Sequence, residues 1–341
     1  MITGSTGFKG AWLANWLLML GAKVVGVGLK PEKDSIIFSS LELNKRINQY
    51  FVDIKNFNKI NHIIKKEKPD IIFHLAAQSY VQFSFKSPAE TLNINAIGTS
   101  NLLESVRISK INPKIHICSS SEVYGQVEKE EIPIKETNPF RPASPYAVSK
   151  VAEDMLGYQY FLSYNMHIVR TRMFTHTGPR RGDVFAESWF AKQIAMIESG
   201  IMSNPIKVGN LESIRTIMDV RDAVEAYWIM MEKSIPGEVY NIGGSKTLTI
   251  EEILNKLIEY SDKEIKYIVD KELLRPSDVT LQIPDTNKFF NLTNWQPKIK
   301  IEEGVKDLLK NINYWKSAPV WNPKTIKEAT KIWFKLLSKK N

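Results

Sequence analysis

The eight residues TGSTGFKG at positions 3–10 constrain the fold more than any other stretch of the chain. Gly4, Gly7 and Gly10 stand in a G-x-x-G-x-x-G spacing between a strand and the helix expected to begin near Ala11. Such a turn lets the backbone approach a pyrophosphate closely and points a helix N-terminus at the anion. A glycine-rich turn alone is a weak signal. Here it opens an alternation of apolar runs and amphipathic stretches, the pattern of βαβ units and a parallel sheet. KVVGVGL (23–29), DIIFHLA (70–76), KIHICSS (114–120) and HIVRTRMF (167–174) read as buried strands. Helices are expected over Ala11–Leu20, Asn56–Lys66 and Ala89–Ser109.

The expected fold is therefore α/β, a Rossmann-type doubly wound parallel sheet with a smaller C-terminal substrate lobe. Residues 1–172 read as the dinucleotide-binding domain and 173–341 as mainly the substrate lobe, with 206–243 packing back on the sheet. The second half is less regular, with PIKVGN, GEVYNIGG and a helical TIEEILNKLIEYS at 249–261. No repeat or low-complexity linker separates the lobes. Only Met1 to Thr3 precede Gly4, so the opening strand reads as trimmed.

Two positions bear on how the dinucleotide is held, and the first of them on which dinucleotide it is. An acid after the second strand would bind a ribose 2′-hydroxyl, whereas a base accommodates a 2′-phosphate. Lys30 stands there, in GVGLKPEKDS, with Lys33 and Asp34 close behind. The reading leans to NADP(H) over NAD(H). Asp53, in FVDIKN, is placed to meet the adenine amino group, and would be equally ordinary as a surface acid.

Tyr146 and Lys150 in SPYAVSK share one helical face, four residues apart. A phenol titrates near ~10 unperturbed, and a cation one turn away stabilises its phenolate. The pair alone also fits a half-buried tyrosine above a surface lysine. Beside a nucleotide loop it suggests hydride chemistry on an alcohol. Hydride transfer needs no acid, yet the strand end SSSEVYG carries Glu122 directly after Ser120 and Ser121. As a bystander, Glu122 would be an acid in the first turn of a helix.

The net charge of +9 is spread along the 341 residues and lacks the clustered stripe of a nucleic-acid binder. No apolar run approaches the ~20 residues of a membrane span, and no charged-then-apolar leader opens the chain. The single cysteine, Cys118, excludes an internal disulfide and reads as a packed strand residue. Together these features fit a cytoplasmic protein with no metal site. The aromatic-rich segment Trp315–Trp333 reads as packing over the substrate lobe.

TGSTGFKG, FHLAAQSYVQFSFKSP, NINAIGTSNLL, SSSEVYG, SPYAVSK, HTGPRRG, VGNLESIRTIMDVRDAV and RPSDV together resemble the extended short-chain dehydrogenase/reductases that act on nucleotide sugars. The acid in SSSEVYG resembles that of the 4,6-dehydratases. The middle and C-terminal motifs are most similar to the GDP-mannose type. GFKGAWLANWLL and the aromatic tail are more similar to the CDP-glucose type. The resemblance implies oxidation at C4 with Tyr146 as base, removal of the C5 proton by Glu122, loss of the 6-hydroxyl, and return of the hydride to C6. Ser120 would hydrogen-bond the 4-oxygen and Ser121 would sit near C6. Many dehydratases carry an aspartate where Ser121 stands, so Glu122 is implied to serve as both base and acid.

The resemblance also implies a cofactor shell of Gly4, Thr6, Gly7, Phe8, Gly10, Lys30, Asp53, Ile54, Leu75, Ala76, Ala77, Tyr146, Lys150 and His176. For a GDP-linked hexose or heptose it implies Ser84, Thr175, Arg180, Glu187, Arg215 and Arg275, with Arg181 and Tyr80 nearby. Guanidinium groups suit diphosphates because their fork matches the phosphate oxygens. Thr175 replaces an asparagine of the GDP-mannose type, which points to a modified substrate. A homodimer or homotetramer and a tightly held cofactor are further implications. The alternatives are a 4-keto-reductase or epimerase on the same scaffold, and a catalytically silent nucleotide-binding module.

Overall fold

The computed structural model describes residues 1–31, 37–233, 235–276, 278–300 and 303. Lys33, Asp34 and the segment Trp315–Trp333 lie outside the described residues. In chain order the strands used below are β1 (Ile2–Thr3), β2 (Val25–Gly28), β3 (Asn48–Phe51), β4 (Ile71–His74), β5 (Lys114–Ser120), β6 (Ile168–Met173), β7 (Ile214–Thr216), β8 (Val239–Ile242), β9 (Thr247–Thr249) and β10 (Leu281–Gln282). The helices are α1 (Phe8–Met19), α2 (Phe57–Glu67), α3 (Gly98–Ile108), α4 (Pro145–Tyr164), α5 (Ala186–Glu198), α6 (Val220–Lys233) and α7 (Ile250–Glu259).

Seven strands form one all-parallel sheet in the order β8-β6-β5-β4-β1-β2-β3. The chain winds outward from β1 to β3, returns to β4, and winds outward again to β8. The order reverses between β1 and β4, and a ligand crevice opens at the carboxyl ends of the strands at such a switch point. The sheet is apolar because helices cover both faces. Trp12, Leu13 and Trp16 of α1 are buried with Val224, Tyr227 and Met231 of α6 on one side. On the other, Ile60, Ile63 and Ile64 of α2 pack with Leu102, Leu103 and Val106 of α3.

The helix α4 positions the Tyr146–Lys150 pair, and its boundaries follow from local chemistry. The Ser144 hydroxyl accepts the Ala147 N–H at 3.0 Å, Pro145 opens the first turn, and Asn165 closes the last in the left-handed conformation. Arg170 and Arg172 from β6 both meet the buried Asp154 of α4, at 2.7 and 2.8 Å. Two charged residues can therefore occupy a buried strand, and the helix is pinned to the sheet.

The long helix expected over 89–109 is interrupted. Pro88–Leu92 is α-helical, Asn93–Ile97 widens into a π-turn, and α3 follows. The buried Asn95 at the interruption accepts the Gln78 N–H at 2.8 Å, and its amide donates to Gln78 O and the Ser149 hydroxyl. Tertiary bonds of this kind outweigh the local helical preference, and single π-turns often mark functional sites.

The second lobe has its own core, with Phe190 and Ile194 of α5 against Leu254 and Leu257 of α7. A three-stranded sheet lies beside it, with β7 between antiparallel β9 and parallel β10. Between its two contributions to this lobe the chain returns to the main sheet, where α6 covers one face and β8 pairs with β6.

Candidate active site

The nucleotide loop is a cradle that side chains would fill. Gly4 has φ +73°, and a Cβ there would stand 2.8 Å from the Ala76 backbone nitrogen and the Leu75 carbonyl carbon. At Gly10 a Cβ would lie 2.1 Å from the Gly4 carbonyl oxygen. Gly7 is the exposed N-cap of α1, with no side-chain capping bond and no acid in the first turn. Its N–H groups and helix dipole suit a diphosphate, so these residues fit a dinucleotide. Thr6 is buried under Gly28, Phe8 is half-buried, and Lys30 is exposed just beyond β2. Asp53 accepts the Lys55 N–H at 2.9 Å, and Ile54 is buried against Gly98. Leu75, Ala76 and Ala77 form the half-buried edge beyond β4, where the Thr3 hydroxyl accepts the Leu75 and Ala76 N–H groups.

Ser120 ends β5, and Ser121–Tyr124 form a single 3₁₀ turn. The Ser120 hydroxyl accepts the Glu122 N–H at 3.3 Å and also hydrogen-bonds the Tyr146 phenol. The turn closes through Gly125, at φ +60°, where a Cβ would collide with the Arg141 carbonyl. Ser121 is buried, and its carbonyl accepts a long 3.5 Å bond from the Gln282 amide of β10. One turn thus joins the sheet to the substrate lobe.

Tyr146 and Lys150 are both buried, with the ammonium 5.9 Å from the phenol ring centre. Lys150 Nζ donates to Cys118 O at 3.1 Å and to the Glu153 carboxylate at 2.9 Å. Burial pushes the Tyr146 phenol up, while Lys150 and the Ser120 hydrogen bond pull it back. The lysine acts in the direction its spacing suggests, and desolvation exceeds it. Burial alone would lower the Lys150 ammonium, but Glu153, Tyr146 and Cys118 hold it above its ordinary range.

The residues expected on the substrate side come from loops and short strands. Buried Arg181 pairs with Glu187 of α5 and stacks 3.8 Å from the Phe185 ring centre, which meets Tyr80 edge-on at 5.9 Å. Arg180 is buried with φ +72°. Thr175 is half-buried, and its carbonyl accepts the Met218 N–H at 3.0 Å. His176 shares a 3.1 Å bond with Phe174 O, and burial together with Lys9 and Arg181 keeps it neutral. Arg215, buried on β7, donates to the carbonyls of Ile214 and Val279 and lies in the field of Glu122. Arg275 is exposed, 3.9 Å from Asp278. Ser84 is fully buried, and its hydroxyl donates to Val81 O at 2.6 Å, one turn back along its own helix. That bond commits the hydroxyl proton locally.

Four residues absent from the sequence reading lie in or behind this site: Lys9, Asn95, Glu153 and Gln282. Lys9 sits inside the glycine motif itself, and Glu153 follows Lys150 by three residues, so both were within reach of a pattern argument. Asn95 and Gln282 acquire their positions only through tertiary contacts.

A family model described as GDP-mannose 4,6 dehydratase matches residues 1–308. The chain belongs to that family. It is a nucleotide-sugar 4,6-dehydratase of the extended short-chain dehydrogenase/reductase class. A GDP-mannose 4,6-dehydratase of Yersinia enterocolitica is 32% identical over 346 residues, covering 91% of this chain and 92% of that protein. A GDP-6-deoxy-D-mannose reductase of Pseudomonas aeruginosa is also 32% identical, over 74% of this chain and 82% of its own length. Among solved structures, RMD from Pseudomonas aeruginosa complexed with NADPH superposes with a TM-score of 0.77 at 28% identity, covering 92% and 98% of the two chains. Among the described residues of this family member, no helix is long and apolar enough to cross a membrane. The same residues contain no group of three or more acids, histidines or cysteines placed to hold a metal ion.

Proposed function

We propose that this dehydratase removes water from a GDP-linked hexose or heptose to give the 4-keto-6-deoxy sugar, with NADP(H) held tightly through the cycle. The observation that carries the reading is Glu122. It stands in the same 3₁₀ turn as Ser121, two residues from the Ser120 hydroxyl that bonds Tyr146, and Arg215 of the other lobe lies in its field. A reductase or epimerase has no use for an acid at that place.

When bound, the cofactor supplies the hydride exchange between C4 and C6. Tyr146 takes the 4-hydroxyl proton, with Lys150 holding the phenolate and Ser120 bonding the 4-oxygen. A ketone at C4 acidifies the C5 hydrogen, which Glu122 removes. Glu122 then gives a proton to the departing 6-hydroxyl, with Ser121 beside C6. Two protons leave the sugar, from the 4-hydroxyl and C5. Two return, one to the departing hydroxyl and one to C5, so the reaction is neutral in protons and in electrons. Arg180, Arg181, Arg215 and Arg275 receive the diphosphate and nucleotide, Thr175 and Tyr80 face the sugar, and Glu187 orients Arg181.

The cofactor preference rests on Lys30 and on the NADPH bound by the Pseudomonas aeruginosa structure. Assembly rests on exposed apolar residues of two helical segments: Leu92 and Ile97 from one, and Val148, Met155, Tyr158 and Leu162 from α4. A second copy presenting the same face covers them, giving a homodimer or a dimer of dimers. Light scattering at micromolar concentration tests this, and a monomer contradicts it.

Incubation with GDP-mannose, GDP-mannoheptose and CDP-glucose, read by mass spectrometry, tests the reaction. Loss of one water from a GDP-sugar without net cofactor consumption is the expected result. Net NADPH oxidation that tracks product, or a product of unchanged mass, would contradict it.

A further inference from the structure

The catalytic-site helix carries two adjacent buried acids. Asp154 has both oxygens engaged by Arg170 and Arg172. Glu153, only 1% exposed, has one oxygen 2.9 Å from Lys150 Nζ, while its other oxygen, Oε1, has no hydrogen-bond partner. A buried carboxylate oxygen without a partner is costly, and a purely structural acid would be expected to satisfy both. Burial pushes Glu153 up to about 7 despite the pull of Lys150.

An ammonium has three donors. Two of those of Lys150 are fixed behind the site, on Glu153 and on Cys118 O. One remains for the side on which Tyr146 lies. A second cation, Lys9, reaches the same region and donates to the Cys118 thiol at 3.1 Å and the Tyr227 hydroxyl at 3.2 Å. Glu153 pairs with Lys150 and lies in the field of Lys9, while Asp154 is committed to its arginines.

We propose that Glu153 is a positioning residue for Lys150, fixing where the ammonium points and how much of its charge reaches Tyr146. The proposal rests on Tyr146 and Lys150 being the reacting pair. The charged and titratable groups facing this cluster are Lys9 from α1, His74 from β4, His116 and Cys118 from β5, Tyr146 and Asp154 from α4 itself, and Tyr227 from α6. Glu153 raises the Tyr146 phenol alongside burial and Cys118, so its removal weakens the opposition to the Lys150 charge.

The test is a titration of the ultraviolet phenolate band in protein loaded with NADP⁺, taken as the difference from Tyr146→Phe. In Glu153→Gln the Tyr146 midpoint should move acidward by about one pH unit, the scale of one charge removed at short range. Glu153→Asp, which withdraws the charge from Nζ, should fall between the two. Turnover should show a parallel acidward shift of the acid limb, with kcat down about tenfold and KM within twofold. A merely structural acid predicts a lower melting temperature with the midpoint unmoved, and that result overturns the proposal. If Glu153→Gln does not fold, Glu153→Asp decides, and a wild-type midpoint overturns the proposal. The titration needs no sugar, so failure of the wild type to dehydrate any GDP-sugar defeats the proposed function without touching this test.

Discussion

The two halves of the site are made differently. On the sheet side, Ser120 and Glu122 come from the end of β5 and the turn after it, and Tyr146 and Lys150 from one twenty-residue helix, which Asp154 locks to Arg170 and Arg172 of the neighbouring strand β6. On the lobe side, Arg181, Arg215 and Arg275 come from a turn, a three-residue strand and a loop. The first half is over-determined by a parallel sheet and buried ion pairs, as suits groups that must meet reacting atoms within fractions of an ångström. The second half is held by short strands and single ion pairs, as suits contacts that recognise a nucleotide and can differ between substrates. Changes in the first half should therefore act on kcat, and changes in the second on KM.

The sharpest break in that division is Glu122→Gln. It keeps shape and removes the proposed base, so kcat should fall about 10³-fold while GDP-sugar affinity stays within a few-fold, measured by steady-state assay and calorimetry. Reduced cofactor should accumulate on the enzyme after substrate addition. Asp154→Asn strikes the lock instead of the chemistry. It leaves two buried guanidinium groups short of their counter-charge and should cost about 3–5 kcal/mol in denaturant unfolding.

Arg215→Lys samples the other half. Lysine cannot keep both carbonyl bonds and a phosphate fork, so KM for the GDP-sugar should rise about tenfold with kcat changed less than fivefold. An equal loss in kcat would erase the contrast between the halves. The smallest effect is expected at Lys30→Asp, on the exposed rim of the nucleotide loop. Repulsion of a 2′-phosphate should move the NADP/NAD preference about tenfold towards NAD, read from the two cofactor affinities.

The same contrast governs what could be read from sequence. The glycine loop, the apolar runs that became β4, β5 and β6, and the Ser144–Pro145 start of α4 are local signals, and each is visible in a window of ten residues. The π-turn at Asn93–Ile97 is not local, because it follows from bonds that Asn95 makes to Gln78 and Ser149. Strands of three residues such as β7 are too short for periodicity to register, and their place is set by neighbours from distant sequence. For the site, spacing alone paired Tyr146 with Lys150 and drew attention to Glu122. It did not show that Ser84 would commit its hydroxyl to Val81, or that Glu153, at an ordinary helical ion-pair spacing, would be buried with one oxygen unpartnered. Burial is a tertiary property, and it converts a routine helical pair into a costly one.

In the proposed reaction one hydride leaves C4 and returns to C6 of the same sugar while Glu122 moves the C5 proton. A GDP-sugar substrate deuterated at C4 tests it directly, with the product examined by NMR and mass spectrometry. Full retention of the label, located at C6, with no deuterium in the bulk cofactor pool, is the expected result. Label washed into free NADP(H), or product formed in proportion to NADPH consumed, would contradict it.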